Sequence, residues 1–136
     1  MSDDMKDAFN QMAPPFAKLL GMKVTNATRE RVVAELFVSD ELTTATPILH
    51  GGAIMALADN LGAMGTILNL PSGATTTTIE SKTNLMGSVP AGEIAYADAT
   101  PLHIGRSTQV WQTRVTRENG KLAAIVTQTQ MVKLLG

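Results

Sequence analysis

Apolar residues recur at helical spacing, then at every second position, then at helical spacing again, and finally at every second position to the end of the chain. The first helical stretch is 2–20. Met5, Ala8, Phe9 and Met12 fall on one packing stripe, Ser2, Asp3 and Asp4 supply caps and negative charge, and Pro14-Pro15 ends it before a short turn to Gly21. It carries no catalytic residue type and reads as a lid or packing element. From Met22 the period is two. Residues 22–27 and 31–38 read as paired strands around Thr28-Arg29-Glu30, and Val32, Ala34, Leu36 and Val38 make one clean apolar face. A Thr-rich loop, 39–47, then leads into the longest helical stretch, 49–68.

That stretch has two faces. Ile54, Leu57, Leu61, Met64 and Leu68 form a bulky stripe suited to packing on a sheet, while Gly52, Met55, Asp59, Gly62, Ala63 and Thr66 form a face of mostly small residues. The small face predicts close approach by a second subunit or a ligand. At 1.5 Å per residue the helix is roughly 27 Å long, about the width of a small domain. After Leu70-Pro71-Ser72-Gly73 the chain is strand-like. Residues 75–85 place Thr76, Thr78, Glu80, Lys82 and Asn84 on one side and Thr77, Ile79, Ser81, Thr83 and Leu85 on the other. Residues 93–100 make the next strand, 101–105 a bend or bulge, and 106–117 and 121–134 a hairpin about Glu118-Asn119-Gly120. Helix, two strands, long helix and four strands predict an α+β fold, an antiparallel sheet with the helix of residues 51–68 lying across one face.

Composition narrows the class. The 136 residues suit a single domain spanning 1–136, and 44% apolar with 17% charged residues is ordinary for a soluble globular protein. A net charge of −1 gives no reason to bind nucleic acid or an anionic membrane. The absence of cysteine excludes disulfides and thiolate chemistry, and two widely separated histidines, His50 and His103, argue against a zinc site, so no metal is expected. The N-terminus lacks the apolar core of a signal peptide, and His50, Asp59 and Asn60 interrupt the one run long enough to span a membrane. A cytoplasmic protein is expected. Asp59 stands out, because no basic residue in its helix offers to pair with it; catalysis is favoured over a structural acid at a subunit interface.

HGG-x6-D followed by small residues, the strand TTIESKTN, the turn VPAGE, HIGRS-x-QVW and the closing AIVTQTQMV together resemble the hotdog-fold acyl-CoA thioesterases. The nearest group is the phenylacetate-pathway-like (PaaI-like) branch of the 4-hydroxybenzoyl-CoA thioesterase superfamily. The resemblance runs from about residue 21 to 132. It implies a sheet wrapped around a central helix and hydrolysis of an aryl- or medium-chain acyl-CoA to free acid and CoA. No cofactor is implied, since CoA enters as part of the substrate. It also implies a homodimer or a dimer-of-dimers homotetramer.

The resemblance assigns roles by position. The first glycine of the pair, Gly51, donates its N–H to the thioester oxygen, with Gly52 beside it at the positive end of the helix. Asp59 is the catalytic acid, as general base to water or as nucleophile. Eight residues, roughly 12 Å, separate Gly51 from Asp59, and in relatives two subunits share each site. His50 joins this set as the residue that fixes the turn into the helix. Two positions depart from the family pattern: Thr44 replaces a common Asn or Gln, and Ala63 stands where Glu-using relatives carry Ser or Thr. In the Asp-using branch a hydroxyl comes from the following strand, and strand alternation admits Thr77 or Thr78, of which Thr78 is favoured. Gly105, Arg106 and Ser107 are the candidates for the CoA phosphates, with Lys82 and Arg114 weaker ones. His103 reads as a bend or surface residue. Met55, Met64, Leu85 and Met86 suit an apolar acyl pocket. The alternative is a non-catalytic acyl-CoA-binding or sensing hotdog domain; a hydratase would require a His/acid motif that the chain lacks.

Overall fold

The structure, a computed structural model, describes residues 5–135, so the caps expected at Ser2, Asp3 and Asp4 lie outside the described residues. Two short helices, α1 (Lys6–Gln11) and α2 (Pro15–Leu20), precede β1 (Lys23–Thr28) and β2 (Arg31–Phe37). A 3₁₀ turn at Asp40–Leu42 leads to α3 (Gly51–Leu68), followed by β3 (Ala74–Leu85), β4 (Ile94–Ile104), β5 (Thr108–Thr116) and β6 (Leu122–Leu134). The six strands form one antiparallel sheet in the order β1-β2-β4-β5-β6-β3, and α3 packs across every strand of it. This is the hotdog fold.

The core lies between α3 and the sheet. Val32, Ala34 and Leu36 on β2 and Ala95, Ala97 and Ala99 on β4 face the helix at alternate positions and are fully buried. Leu57 and Leu61 answer them from α3, each contributing about 1.5–3 kcal/mol by leaving water. The face expected to meet a partner is partly occupied by the sheet itself. A Cβ on Gly65 would lie 2.4 Å from the Trp111 ring, one on Gly62 would lie 2.2 Å from Gln128, and Thr66 is buried. Those small residues admit the sheet's largest side chains. Of that face, Gly52 and Met55 are exposed and Asp59 and Ala63 half-buried.

Two other expectations change and one is made specific. Of the expected stripe Met5, Ala8, Phe9 and Met12, Phe9 packs on the core while Met5 and Met12 are exposed; Ala17 and Leu20 of α2 are buried instead. The bend or bulge expected at 101–105 takes the form of a bulge, a register shift between Pro101 and His103 within a β4 that continues to Ile104. In β3 a bulge between Thr78 and Glu80 inserts Ile79 and reverses the side-chain parity. Ser81, Thr83 and Leu85 pair with Gln128, Val126 and Ala124, so they share a face with Thr76 and Thr78 rather than opposing it.

The two sheet edges are treated differently. On β1, the Asn10 side chain donates to Val24 O and accepts from Val24 N–H, both at 2.8 Å, and Met5 N–H donates to Ala27 O. The twelve-residue β3 edge has no such cover among the described residues. At the opposite end of β6, the Asn-Gly hairpin closes with Gly120 at φ +85°, where a side chain would be strained.

Candidate active site

α3 begins with an N-cap that consumes one donor and leaves another. The His50 Nδ1 accepts from Gly52 N–H at 2.8 Å, and His50 O accepts from Ala53 N–H and Ile54 N–H. Gly51 N–H has no partner among the described residues. Of the glycine pair expected to polarise a carbonyl, Gly52 therefore has its N–H committed to the cap, and Gly51 alone presents a free donor at the positive end of the helix. Because Nδ1 accepts, the neutral His50 ring carries its proton on Nε2. The loop before the helix is tied to it: His50 N–H donates to Leu42 O, and Leu49 bridges to Thr43.

Eight residues along α3, Asp59 is half-buried against β3 and β6. Thr78 Oγ1 lies 2.6 Å from Asp59 Oδ1, and the Gln128 amide donates to the same oxygen at 3.3 Å and to the Asp59 carbonyl at 3.4 Å. Oδ2 receives no hydrogen bond from the described residues. Thr77, on the opposite face of β3, is exposed. With Gly51 and Met55 at four-residue spacing, Asp59 completes one outward stripe of the helix. Leu85 lies over Gly51 at the far end of β3.

The remaining candidates fall into separate places. The Thr44 hydroxyl is engaged within its own loop, donating to Thr46 O at 2.8 Å and accepting from Thr46 N–H at 3.1 Å. Gly105, Arg106 and Ser107 form the turn between β4 and β5. Arg106 and Ser107 line an open groove of about 440 Å³ with Met131, Val132, Lys133 and Leu134. This groove begins one residue beyond Gln130 on β6, with Met131 on the outer face of the sheet, opposite the inward Gln130. Lys82, Arg114 and His103 are exposed on their strands. Met64 is buried in the core and unavailable to a ligand, whereas Met55, Leu85 and Met86 are exposed.

Sequence reasoning missed Gln128, Gln130 and Thr76. Both glutamines are fully buried; Gln128 Nε2 donates to Gln130 Oε1 at 2.9 Å, and Gln130 Nε2 donates to Thr76 Oγ1 at 3.1 Å. The signal was present in TQTQ: the glutamines continue the inward alternation of Ala124 and Val126, which puts polar amides in the core.

Comparison with known proteins identifies the class this site belongs to. The thioesterase superfamily model matches residues 46–124. A 1,4-dihydroxy-2-naphthoyl-CoA hydrolase from Listeria monocytogenes is 30% identical over 114 residues, covering 84% of this chain and 92% of the relative. A mutant thioesterase from Pseudomonas aeruginosa superposes with a TM-score of 0.90 at 27% identity, covering 99% of this chain and 97% of that one. The E. coli PaaI protein from the phenylacetic acid degradation operon superposes at 0.84 with 19% identity over 97% and 92% of the two chains, a likeness of fold alone. The chain belongs to the thioesterase superfamily. It is a thioester hydrolase of the acyl-CoA thioesterase class. α3, long and apolar enough to cross a membrane by composition alone, is half buried as the core helix of this fold.

Proposed function

We propose that this protein hydrolyses an aryl- or medium-chain acyl-CoA at sites shared by two subunits, each site taking Gly51 from one chain and Asp59 from the other. The observation that carries this reading is the split of reactive groups along one helix. A free N–H at Gly51 and an open carboxylate oxygen at Asp59 stand roughly 12 Å apart, too far to act on one carbonyl carbon. A two-fold pairing of β3 edges would bring each against its counterpart. The bare β3 edge supports that pairing, and so do Ile79, Leu85 and Met86 along it, each more than half exposed in the single chain.

In this mechanism the thioester oxygen accepts from Gly51 N–H, which stabilises the negative charge that develops there. Asp59 of the partner subunit takes the proton of the attacking water, or attacks the carbonyl carbon itself to form an anhydride that a water then hydrolyses to free acid and carboxylate. Collapse of the tetrahedral intermediate breaks the C–S bond, and the CoA sulfur leaves with a proton. Arg106 and Ser107, which line the groove at the β4–β5 turn, hold CoA phosphate oxygens in this reading. A hollow of about 300 Å³ beside the helix start, with Phe16, Leu19, Leu42 and Ala53 in its wall next to His50, suits an apolar acyl group.

Mixing two inactive chains tests the shared site. Gly51→Pro deletes the free N–H at a position whose backbone suits proline, since Gly51 is the first helical residue and His50 before it is already extended, while the added Cβ requires the exposed Leu85 side chain to shift. Asp59→Ala deletes the acid. Each variant alone is expected to lose aryl- and fatty-acyl-CoA hydrolysis. Refolded together, they are expected to regain about a quarter of the wild-type rate, because about half the dimers are mixed and each holds one intact site. A mixture as inactive as its components, with mixed dimers present, contradicts the shared site.

A further inference from the structure

The Thr78 hydroxyl has one hydrogen and two acceptors at the same distance. Asp59 Oδ1 and Gln130 Oε1 each lie 2.6 Å from Thr78 Oγ1. The neighbouring amides fix which atom of Gln130 faces the hydroxyl. Gln128 must turn its NH₂ toward Asp59, because both Asp59 contacts, the carbonyl and Oδ1, are acceptors. The same NH₂ donates to Gln130 Oε1, which leaves Gln130 Nε2 for Thr76. Turning both amides over would set Gln128 Oε1 against two Asp59 oxygens. The arrangement leaves Gln128 Oε1 buried without a partner beside Gly62, a cost the fold accepts to keep the amide aimed at the acid.

We infer that Gln130 is a positioning residue for hydrolysis, acting through Thr78 as a second acceptor that lets the hydroxyl follow the charge on Asp59. This rests on the assignment of Asp59 as the acid of the site, and it favours the general-base form of that mechanism. With Asp59 ionised, Thr78 donates to Oδ1 and holds the carboxylate so that Oδ2 faces the substrate. When water attacks, its O–H bond breaks, its oxygen bonds to the carbonyl carbon and its proton goes to Oδ2. Oδ1 then loses its charge and becomes a weaker acceptor. The Thr78 hydrogen rotates to Gln130 Oε1 and keeps a full hydrogen bond. When the C–S bond breaks, the proton on Oδ2 passes to the leaving sulfur and Thr78 turns back. No proton leaves Thr78 at any point. Without Gln130, the hydroxyl has only the acceptor that fades as Asp59 is protonated.

Steady-state kinetics of the full-length protein on benzoyl-CoA and octanoyl-CoA test this with Gln130→Leu, Thr78→Val, the double variant, Thr78→Ser and Asp59→Ala. Gln130→Leu is expected to lower kcat about tenfold with KM within about twofold of wild type. The double variant is expected to be no slower than Thr78→Val alone, because the inferred role of Gln130 runs through that hydroxyl rather than through its bond from Gln128. Thr78→Ser, which keeps the rotating hydroxyl, is expected to stay within about threefold of wild type. Gln130→Met replaces Gln130→Leu if the latter does not fold, and is judged the same way. A wild-type kcat in the Gln130 variant overturns the inference. So does a loss confined to KM, or a double variant in which the two losses multiply. If Asp59→Ala hydrolyses as fast as wild type, the site assignment itself fails; if it is inactive while the Gln130 variant keeps its kcat, only this inference fails.

Discussion

The two ends of the sheet sit under the same helix and are lined with opposite chemistry. At the β2–β4 end the inward positions are Val32, Ala34, Leu36, Ala95, Ala97 and Ala99, all buried and apolar, and Asn10 seals the backbone of the β1 edge beside them. At the β6–β3 end the inward positions pass from the apolar Ala124 and Val126 to Gln128, Gln130, Thr76 and Thr78, which gather around Asp59, and the β3 edge has no cover among the described residues. The first end stabilises by removing apolar surface from water and asks for no partner. The second places polar groups in a medium where each needs a partner, and two buried oxygens there, Gln128 Oε1 and Thr83 Oγ1, go without among the described residues. The fold thus separates its stability from its chemistry along a single sheet, with α3 belonging to both.

Substitutions break that comparison in different currencies. Leu36→Ala at the apolar end is expected to cost about 2–5 kcal/mol in denaturant unfolding while leaving kcat of the folded protein unchanged. Two glycines of α3 give a finer contrast, since an added methyl meets Trp111 from Gly65 and Gln128 from Gly62. Both Gly65→Ala and Gly62→Ala are expected to lose about 1–3 kcal/mol by overpacking, but only Gly62→Ala, which displaces the amide holding Asp59, is expected to lower kcat in addition. Equal kcat values in the two would show that the Asp59 network does not matter to turnover.

The ion pairs lie outside both ends and set a lower scale. Arg117 donates two hydrogen bonds to Glu93, and this holds the Glu93 carboxyl below its ordinary value. A lowered folded-state value adds stability above the ordinary carboxylate range and loses it as pH falls through the lowered value. Glu93→Gln is therefore expected to be less stable than wild type at neutral pH, with the gap in urea midpoint closing as the solution becomes acidic enough to protonate Glu93. A gap independent of pH would assign the loss to packing instead. The Arg31–Asp98 pair is exposed on both sides, and Asp98→Asn is expected to change stability by less than about 1 kcal/mol, less still at high salt.

Periodicity made most of the fold legible. The α3 stripe, the alternation of β2 and the Asn-Gly hairpin are local patterns that report directly on what faces the core. The parity of β3 was not legible, because Ile79 looks like any other strand residue until it is seen as the extra residue of a bulge. That slip matters, since it turns Leu85 toward Gly51 on the same face that turns Thr78 toward Asp59. Nor could the glycine pair be told apart in sequence. Only the approach of His50 Nδ1 to Gly52 N–H shows that one donor is committed and the other is not. The small residues of α3 were readable as sites of close approach, but what approaches Gly62 and Gly65 is a glutamine and a tryptophan of the chain's own sheet.

The central claim, that Asp59 is the acid of a thioester hydrolase, is tested most directly by steady-state hydrolysis of an aryl- and fatty-acyl-CoA panel by wild type and Asp59→Ala. The account predicts turnover of at least one thioester by wild type and a fall in kcat of about 10²–10⁴ in Asp59→Ala, whose folding is unimpaired. An Asp59→Ala protein that hydrolyses as fast as wild type would contradict it.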